Sequence, residues 1–199
     1  TGSGTGSGTG SGTGSGTGAV MGSGMGSVLS ADSVLPRYLM LAGALTAADL
    51  LTKTLATVWL RDGRFVELTD RFGFTLLYNT AGAGGTTTVG PHAWLVNVLL
   101  TVLALLLVAW VVQPLAAVHR GAILALACVS GGAMGNLLSM LLGPPGVCDF
   151  LAVTLPSDVT IVMNGADLEL WTGALLLAPV VRHLFRTLRL QRTQAALAN

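Results

Sequence analysis

Residues 131–167 read GGAMGNLLSMLLGPPGVCDFLAVTLPSDVTIVMNGAD, and this stretch decides the fold. It holds two aspartates, Asp149 after an uncharged apolar segment and Asp167 at the opening of the next one. Ionisable groups are costly in a membrane, so we expect both acids to have a function. If the two segments are neighbouring helices, the acids meet at one membrane–water boundary, where two close carboxyls share a proton. Such a pair is typical of an acid/base site that activates water.

The composition is that of a membrane protein. Of the 199 residues, 52% are hydrophobic and 10% are charged, and the mean hydropathy is +0.72. Soluble domains carry about 25% charged residues. The net charge is +1 and no basic cluster lies outside the C-terminal part, which argues against nucleic-acid binding. Cys128 and Cys148 have neither a CxxC spacing nor a histidine-rich surrounding, so we predict no disulfide and no metal site.

Four hydrophobic segments reach the length of about 20 residues that a bilayer requires. They are approximately residues 38–60, 93–112, 121–142 and 165–185. The fold class predicted from them is mainly α: a multi-pass membrane protein whose residues 34–188 form a domain of four transmembrane helices. Residues 1–33 are rich in Gly, Ser and Thr and are expected to be a disordered tail. Residues 189–199 are expected to be a cytoplasmic tail.

Two stretches between the spans favour β-structure. Residues 71–78 alternate in polarity, and residues 159–163 contain β-branched side chains. The residues that share the apolar face of the first stretch are Phe72, Phe74, Leu76 and Tyr78. This stretch ends at Asn79, and we expect the glycine-rich loop that follows, residues 81–85, to move as a flap over a site. A hairpin connection in which Asn79 has no role is the alternative.

Three acids and one lysine lie in or beside the spans. Asp49 and Lys53 stand at i, i+4 in the first segment and can pair. A structural ion pair with Lys53 reaching for the surface and a role in shaping the site both remain open. Asp167 also suits a capping role at the start of its helix, and Glu169 is interpreted as a solvated or interfacial residue.

The third segment carries three glycines and an amide. Gly131, Gly132 and Gly135 predict close helix packing, since small residues let membrane helices approach each other. Asn136 needs a hydrogen-bond partner in hydrocarbon. A bond between helices and a chemical role are both open for it.

The arginines are distributed unequally between the two ends of the four spans. One end holds Arg37, Arg120, Arg182, Arg186, Arg189 and Arg192, and the other holds Arg61, Arg64 and Arg71. The end with more arginine is expected to be cytoplasmic, which places both termini there. Both Asp149 and Asp167 then lie on the extracytoplasmic side.

Five motifs, taken together, resemble those of lipoprotein signal peptidase, also called signal peptidase II, an aspartic membrane protease family of bacteria. In chain order they are Asp49-Leu-Leu-Thr-Lys53, Tyr78-Asn79, Gly131-Gly-Ala-Met-Gly-Asn136, Val147-Cys-Asp149-Phe and Asn164-Gly-Ala-Asp167. Each motif alone is weak, but five in this order with four spans are specific. The resemblance covers about residues 38–186.

The resemblance implies a small extracytoplasmic β-cradle on four helices and a multi-pass location in the bacterial inner membrane. It implies that Asp149 and Asp167 are the catalytic pair of an aspartic endopeptidase. The residues implied to support this pair or to bind substrate are Asn136, Asn164, Asn79, Asp49 and Lys53. The implied substrates are prolipoproteins, cut before a diacylglyceryl-modified cysteine. Membrane lipids are expected partners, the chain is expected to be a monomer, and neither a metal nor an organic cofactor is implied.

The Gly-Asn motif of the third segment departs from the family pattern. The family usually continues its Gly-Asn motif with Asp-Arg two residues later, where this chain has Ser139 and Met140. A catalytically silent relative that binds lipoproteins or another membrane partner is therefore an alternative.

Two alternatives come from other classes of protein. A small carrier would use Asp49 and Lys53 as an ion path. A cysteine protease would use Cys148 and His92, although nothing in their spacing supplies a third, orienting group.

Overall fold

The computed structural model describes residues 1–2, 31–80 and 93–197, and within them four helices are long and apolar enough to cross a membrane. They are α1 (Ala31–Trp59), α2 (Ala93–Val118), α3 (Gly121–Leu142) and α4 (Gly165–Leu197). Each exceeds the roughly 20 residues needed to cross the hydrocarbon layer. The predicted mainly α, multi-pass architecture is confirmed.

Helix α4 is longer than the span predicted for it. The hydrophobic pattern ends near residue 185, but the helix continues to Leu197. Residues 186–197 contain neither Gly nor Pro and are rich in good helix formers, so the predicted C-terminal tail is helical through its described part. At the other end, α1 begins at Ala31, near the end of the predicted N-terminal tail, whose residues 3–30 lie outside the described part.

Helix α3 is the most buried of the four helices and packs against the other three. Glycines make this close approach possible. A Cβ added at Gly132 would collide with the carbonyl oxygen of Ala166 in α4, and one at Gly173 would lie 2.7 Å from Val129 Cγ2 in α3. The predicted close packing at the glycines of α3 is confirmed.

A four-stranded antiparallel sheet lies at the end of the bundle where α1 and α3 finish. Its strands are β1 (Val66–Thr69), β2 (Phe72–Asn79), β3 (Val147–Thr154) and β4 (Thr160–Met163), and they pair in this order. The sequence predicted β2 and β4 but missed β1 and β3. Strand β3 pairs with both predicted strands, Leu77 lying opposite Asp149 and Leu151 opposite Met163.

One face of the sheet packs on the end of α1. The buried residues of this contact are Ala56, Leu60, Cys148 and Phe150. Phe74, Leu76 and Tyr78 pack against them from β2, as three of the four residues predicted to share a face. Phe72, the fourth, is 54% exposed because it lies beyond the end of α1. The contact fixes β3, and therefore Asp149, above the ends of the helices.

Candidate active site

The first turn of α4 is closed by a reciprocal pair of hydrogen bonds. Asp167 N donates to Asn164 Oδ1 at 3.0 Å, and Asn164 N donates to Asp167 Oδ2 at 3.0 Å. This is the capping-box arrangement, in which the N-cap and N3 side chains satisfy each other's backbone N–H groups. The predicted capping role of Asp167 therefore exists, and it fixes the orientation of both side chains.

Asn164 also connects Asp167 to Asp149. Its Nδ2 donates to Asp149 Oδ1 at 2.6 Å, and both residues are buried. The side chain of Asn79, at the end of β2, hydrogen-bonds the same Asp149 carboxyl. The structure thus brings the two aspartates to opposite sides of one asparagine, and it brings Asn79 to the same place.

Asn136 supplies the amide of α3 to this cluster. Its Nδ2 donates to Asp167 Oδ1 at 3.2 Å. Its Oδ1 accepts from Asn164 Nδ2 at 3.1 Å and from Lys53 Nζ at 2.7 Å. The amide that needed a partner in hydrocarbon therefore bonds three of the predicted site residues and ties three helix segments together.

The pair formed by Asp49 and Lys53 lies directly beneath. Lys53 Nζ is 2.6 Å from Asp49 Oδ2, and Lys53 is only 4% exposed, so it does not reach for the surface. Asp49 Oδ1 accepts from Ala166 N at 2.8 Å, which holds the first turn of α4. A Cβ on Gly135 would collide with Asp49 Oδ2, so α3 has glycine where the pair passes. These bonds favour a role in shaping the site over both the snorkelling lysine and the ion path.

The two carboxyls have unlike surroundings. Burial raises the pKa of Asp149 to about 6, although hydrogen bonds from Asn164 and Asn79 act to lower it. The nearby Asp167 carboxyl raises this pKa further, and Lys53 lowers it. Asp167 instead accepts from Asn164 N and Asn136 Nδ2 at the N-terminal end of a helix, where a negative charge is favoured. Asp149 therefore keeps its proton to a higher pH than a free aspartic acid does.

The sequence that carries this cluster matches known proteins over most of its length. A model of the signal peptidase (SPase) II family matches residues 41–182, which is more than half of the chain and includes every residue of the cluster. The chain belongs to the signal peptidase II family. Lipoprotein signal peptidase of Tropheryma whipplei (strain Twist) is 35% identical over 143 residues, 69% of this chain and 88% of that protein. Lipoprotein signal peptidase of Listeria monocytogenes serotype 4a (strain HCC23) is 28% identical over 140 residues, 70% of this chain and 89% of that protein.

The fold is similar to that of two solved structures described as a bacterial membrane enzyme, both determined by the in meso method. The first, at 2.3 Å, superposes with a TM-score of 0.64 and 19% identity over 77% of this chain and 90% of that one. The second, at 1.9 Å, gives a TM-score of 0.65 and 18% identity over 74% of this chain and 93% of that one. Both support the arrangement of helices and sheet. As a signal peptidase II relative with four apolar helices, the chain is a multi-pass protein of the bacterial membrane.

Ser139 and Met140, which stand where the family usually has Asp-Arg, bond the sheet and α2 in this chain. Ser139 Oγ accepts from Cys148 N at 3.2 Å, which anchors β3 to α3. Met140 O accepts from Trp94 Nε1 at 3.2 Å, which anchors the start of α2. A cavity of about 160 Å³ lies between these elements, next to Asn79. Ser139 and Met140 thus border the site without adding a charge to it.

Cys148 is poorly placed to be a nucleophile in this signal peptidase II. It is 4% exposed, and burial raises the pKa of its thiol to about 11. The thiolate, which is the reactive form, is therefore disfavoured at neutral pH. His92, its proposed partner, lies outside the described residues, as does the predicted flap at residues 81–85.

Glu169 differs from the sequence interpretation, which made it solvated or interfacial. Its Oε2 is buried and has no hydrogen-bond partner among the described residues. It lies against α3, 3.0 Å from where a Cβ on Gly131 would be. The spacing offered a signal, because position 169 falls with Ala166, Leu170 and Gly173 on the i, i+3, i+4, i+7 face that packs on α3.

Proposed function

We propose that Asp149 and Asp167 are the catalytic pair with which this aspartic endopeptidase of the bacterial membrane removes signal peptides from prolipoproteins. Cleavage falls just before a diacylglyceryl-modified cysteine. The observation that carries the proposal is the bonding of Asn164, which donates to Asp149 and forms a reciprocal cap with Asp167. It supports two carboxyls held close together in unlike surroundings, as an acid/base pair needs.

The mechanism uses the two carboxyls in turn. Asp167, ionised at the helix N-terminus, takes a proton from a water molecule as that water attacks the scissile carbonyl. Asp149, protonated, donates a hydrogen bond to the carbonyl oxygen and gives its proton to the leaving amine as the C–N bond breaks. The proton that Asp167 took from the water then passes to Asp149, which returns the pair to its starting state. Asn164 and Asn136 keep the carboxyls oriented throughout. No acyl-enzyme forms, and the step needs no metal or organic cofactor.

The substrate approaches from the membrane. Its acyl chains lie against the apolar outer faces of the helices, and they deliver the modified cysteine to the boundary where the pair waits. The cavity of about 160 Å³ beside Asn79 accepts a small side chain near the scissile bond. The enzyme acts as a monomer with both termini cytoplasmic and the pair on the extracytoplasmic side.

Cleavage of a purified, lipid-modified precursor by the purified protein tests the assignment. Asp149→Asn and Asp167→Asn should each lower the rate at least a hundredfold, which is about the least that an acid/base group contributes. Asp70→Asn is the matched control, because Asp70 is an exposed acid in the turn between β1 and β2. The variants should stay folded by thermal unfolding in detergent.

Two results would overturn the proposal. Cleavage that survives either Asp→Asn change would remove that residue from the chemistry. No cleavage by the unchanged protein, together with binding of the precursor, would favour the catalytically silent relative.

A further inference from the structure

The C-terminal part of α4 projects beyond the bundle. The end of the bundle is marked by His119, in the turn between α2 and α3, whose ring centroid lies 5.6 Å from that of His183 in α4. From His183 the helix continues to Leu197, a length of about 21 Å at 1.5 Å per residue. The family match ends at residue 182, so this segment lies outside what the signal peptidase II model covers.

Two stripes of side chains run side by side along α4 from residue 181, two residues before this segment begins. The apolar stripe consists of Val181, Leu184, Phe185 and Leu188, at i, i+3, i+4 and i+7. The basic stripe consists of Arg182, Arg186 and Arg189, at i, i+4 and i+7, and no acidic residue follows Glu169 in the chain. Such a helix, with a basic face beside an apolar one, is typical of segments that bind in the membrane interface.

Both stripes are open in the structure. Phe185 is 59% exposed and Leu188 is 42% exposed, so no described element covers these two residues. The arginines of the basic stripe are exposed, and the ion pairs of the described residues do not include them. The segment therefore lacks both an apolar partner and an anionic one within the described part of the chain.

We propose that the segment of residues 181–192 binds the anionic phospholipid headgroups of the membrane surface, with its apolar stripe at the acyl boundary. The location of the segment favours lipid over a soluble acidic protein. The segment leaves the bundle at the membrane surface, and it has exposed apolar residues beside its charges. The binding is independent of the proteolytic reaction.

Hydrogen–deuterium exchange of the full-length protein in nanodiscs tests this. Backbone exchange in residues 184–197 should be slower in discs of phosphatidylcholine with about 30% phosphatidylglycerol than in discs of phosphatidylcholine alone. Each arginine in contact with anionic headgroups should contribute about fivefold to the protection. Raising the salt concentration should reduce it, because the charges are at the surface.

The double variant Arg186→Gln/Arg189→Gln should exchange at nearly the same rate in both discs. The matched control is Arg61→Gln/Arg71→Gln, which removes two exposed arginines at the opposite end of the bundle and should keep the difference. Equal exchange of the unchanged protein in both discs would overturn the proposal. The proposal would also be overturned if the control variant lost as much protection as the test variant. It would be overturned as well if soluble polyglutamate, added to discs of phosphatidylcholine alone, protected the segment as much as the anionic lipid does.

Discussion

At the scale of single residues, the charge state of Asp149 controls the proposed reaction. Burial raises its pKa to about 6, and the proposed reaction needs Asp149 in its protonated form. The ratio kcat/KM should therefore fall as the pH rises through 6 or slightly above, where that proton is lost. A pH profile of precursor cleavage checks this, and a profile without a basic limb would contradict it.

Asn79 offers a control on this profile. Its hydrogen bond acts to lower the pKa of Asp149, so Asn79→Ala should raise that pKa and move the basic limb to higher pH. The shift should be about one pH unit, since a hydrogen bond to a charged group contributes about 1.5 kcal/mol. Asn97→Ala is the matched variant, because Asn97 lines the same cavity but is not among the groups that act on Asp149. It should leave the limb in place.

Glu169 is expected to destabilise the fold. One of its carboxylate oxygens is buried without a donor among the described residues, which costs free energy. Glu169→Gln should therefore raise the free energy of unfolding by about 1–3 kcal/mol while cleavage continues. Asp49→Asn, which breaks a buried ion pair, should lower it by about 3–5 kcal/mol. Thermal unfolding in detergent measures both, and a loss of stability in Glu169→Gln would show that Oε2 has a partner.

The sequence predicted which residues belong to the site better than how they are bonded. A polar residue in a span needs a partner, and the structure gives one to each of Asn136, Asp49 and Lys53. The partner itself lies far away in the chain, as when Ala166 N donates to Asp49 Oδ1, and a spacing rule cannot find it. The burial of Glu169 Oε2 could not be predicted for the same reason, because it depends on where α3 lies.

At the scale of elements, strand β3 shows why the sheet was only half predicted. A strand is recognised by alternation of apolar and polar residues, which requires one solvated face. The first four residues of β3, Val147 to Phe150, are all buried because α1 covers one face and the helix ends cover the other. The alternation is therefore absent, and the sequence pattern does not predict the strand in which Asp149 lies.

The start of α4 combines a helix cap with the site, and the two roles can be separated. Asn164→Ser keeps an oxygen that can cap Asp167 N but removes the amide that bonds Asp149 and Asn136. We expect a loss of stability of about 1–3 kcal/mol, because the buried oxygens of Asp149 and Asn136 lose a donor, and a large loss of kcat. Asn164→Ala should lose the cap as well, at a further cost of about 1 kcal/mol. Unfolding and cleavage measured together decide this, and equal activity of Asn164→Ser and the unchanged protein would separate Asn164 from the chemistry.

The crossing of α3 and α4 depends on residues without a side chain. Gly132→Ala should destabilise the protein by about 1–3 kcal/mol, since its Cβ meets a backbone oxygen of α4 that cannot move alone. Gly43→Ala is the matched change in α1, where a Cβ meets nothing within 4 Å. It should stabilise the protein by about 0.5–1 kcal/mol, because alanine favours the helix. Similar effects of both changes on thermal unfolding would contradict close packing at this crossing.

At the scale of the whole molecule, the division into spans could be read from the sequence because it depends on length and hydropathy alone. Four apolar helices cross the membrane region, and an even number returns the chain to the side where it began. The ends of α4 and α1 and the turn containing Arg120 then share one side, while the sheet and the two aspartates share the other. Hydropathy does not tell the cytoplasmic side from the extracytoplasmic side, whereas the excess of arginine does predict it.

Six arginines lie at the end of the bundle that carries both termini, and three lie at the end that carries the sheet. Cytoplasmic loops hold the excess of such residues, so the sheet should face outward. Glu67→Cys in β1 and Gln194→Cys in α4 introduce exposed thiols at the two ends, while Cys128 and Cys148 are buried. A membrane-impermeant maleimide should label Glu67→Cys in intact spheroplasts and Gln194→Cys only after permeabilisation. The reverse pattern would place Asp149 and Asp167 in the cytoplasm, where a precursor that has already crossed the membrane could not reach them.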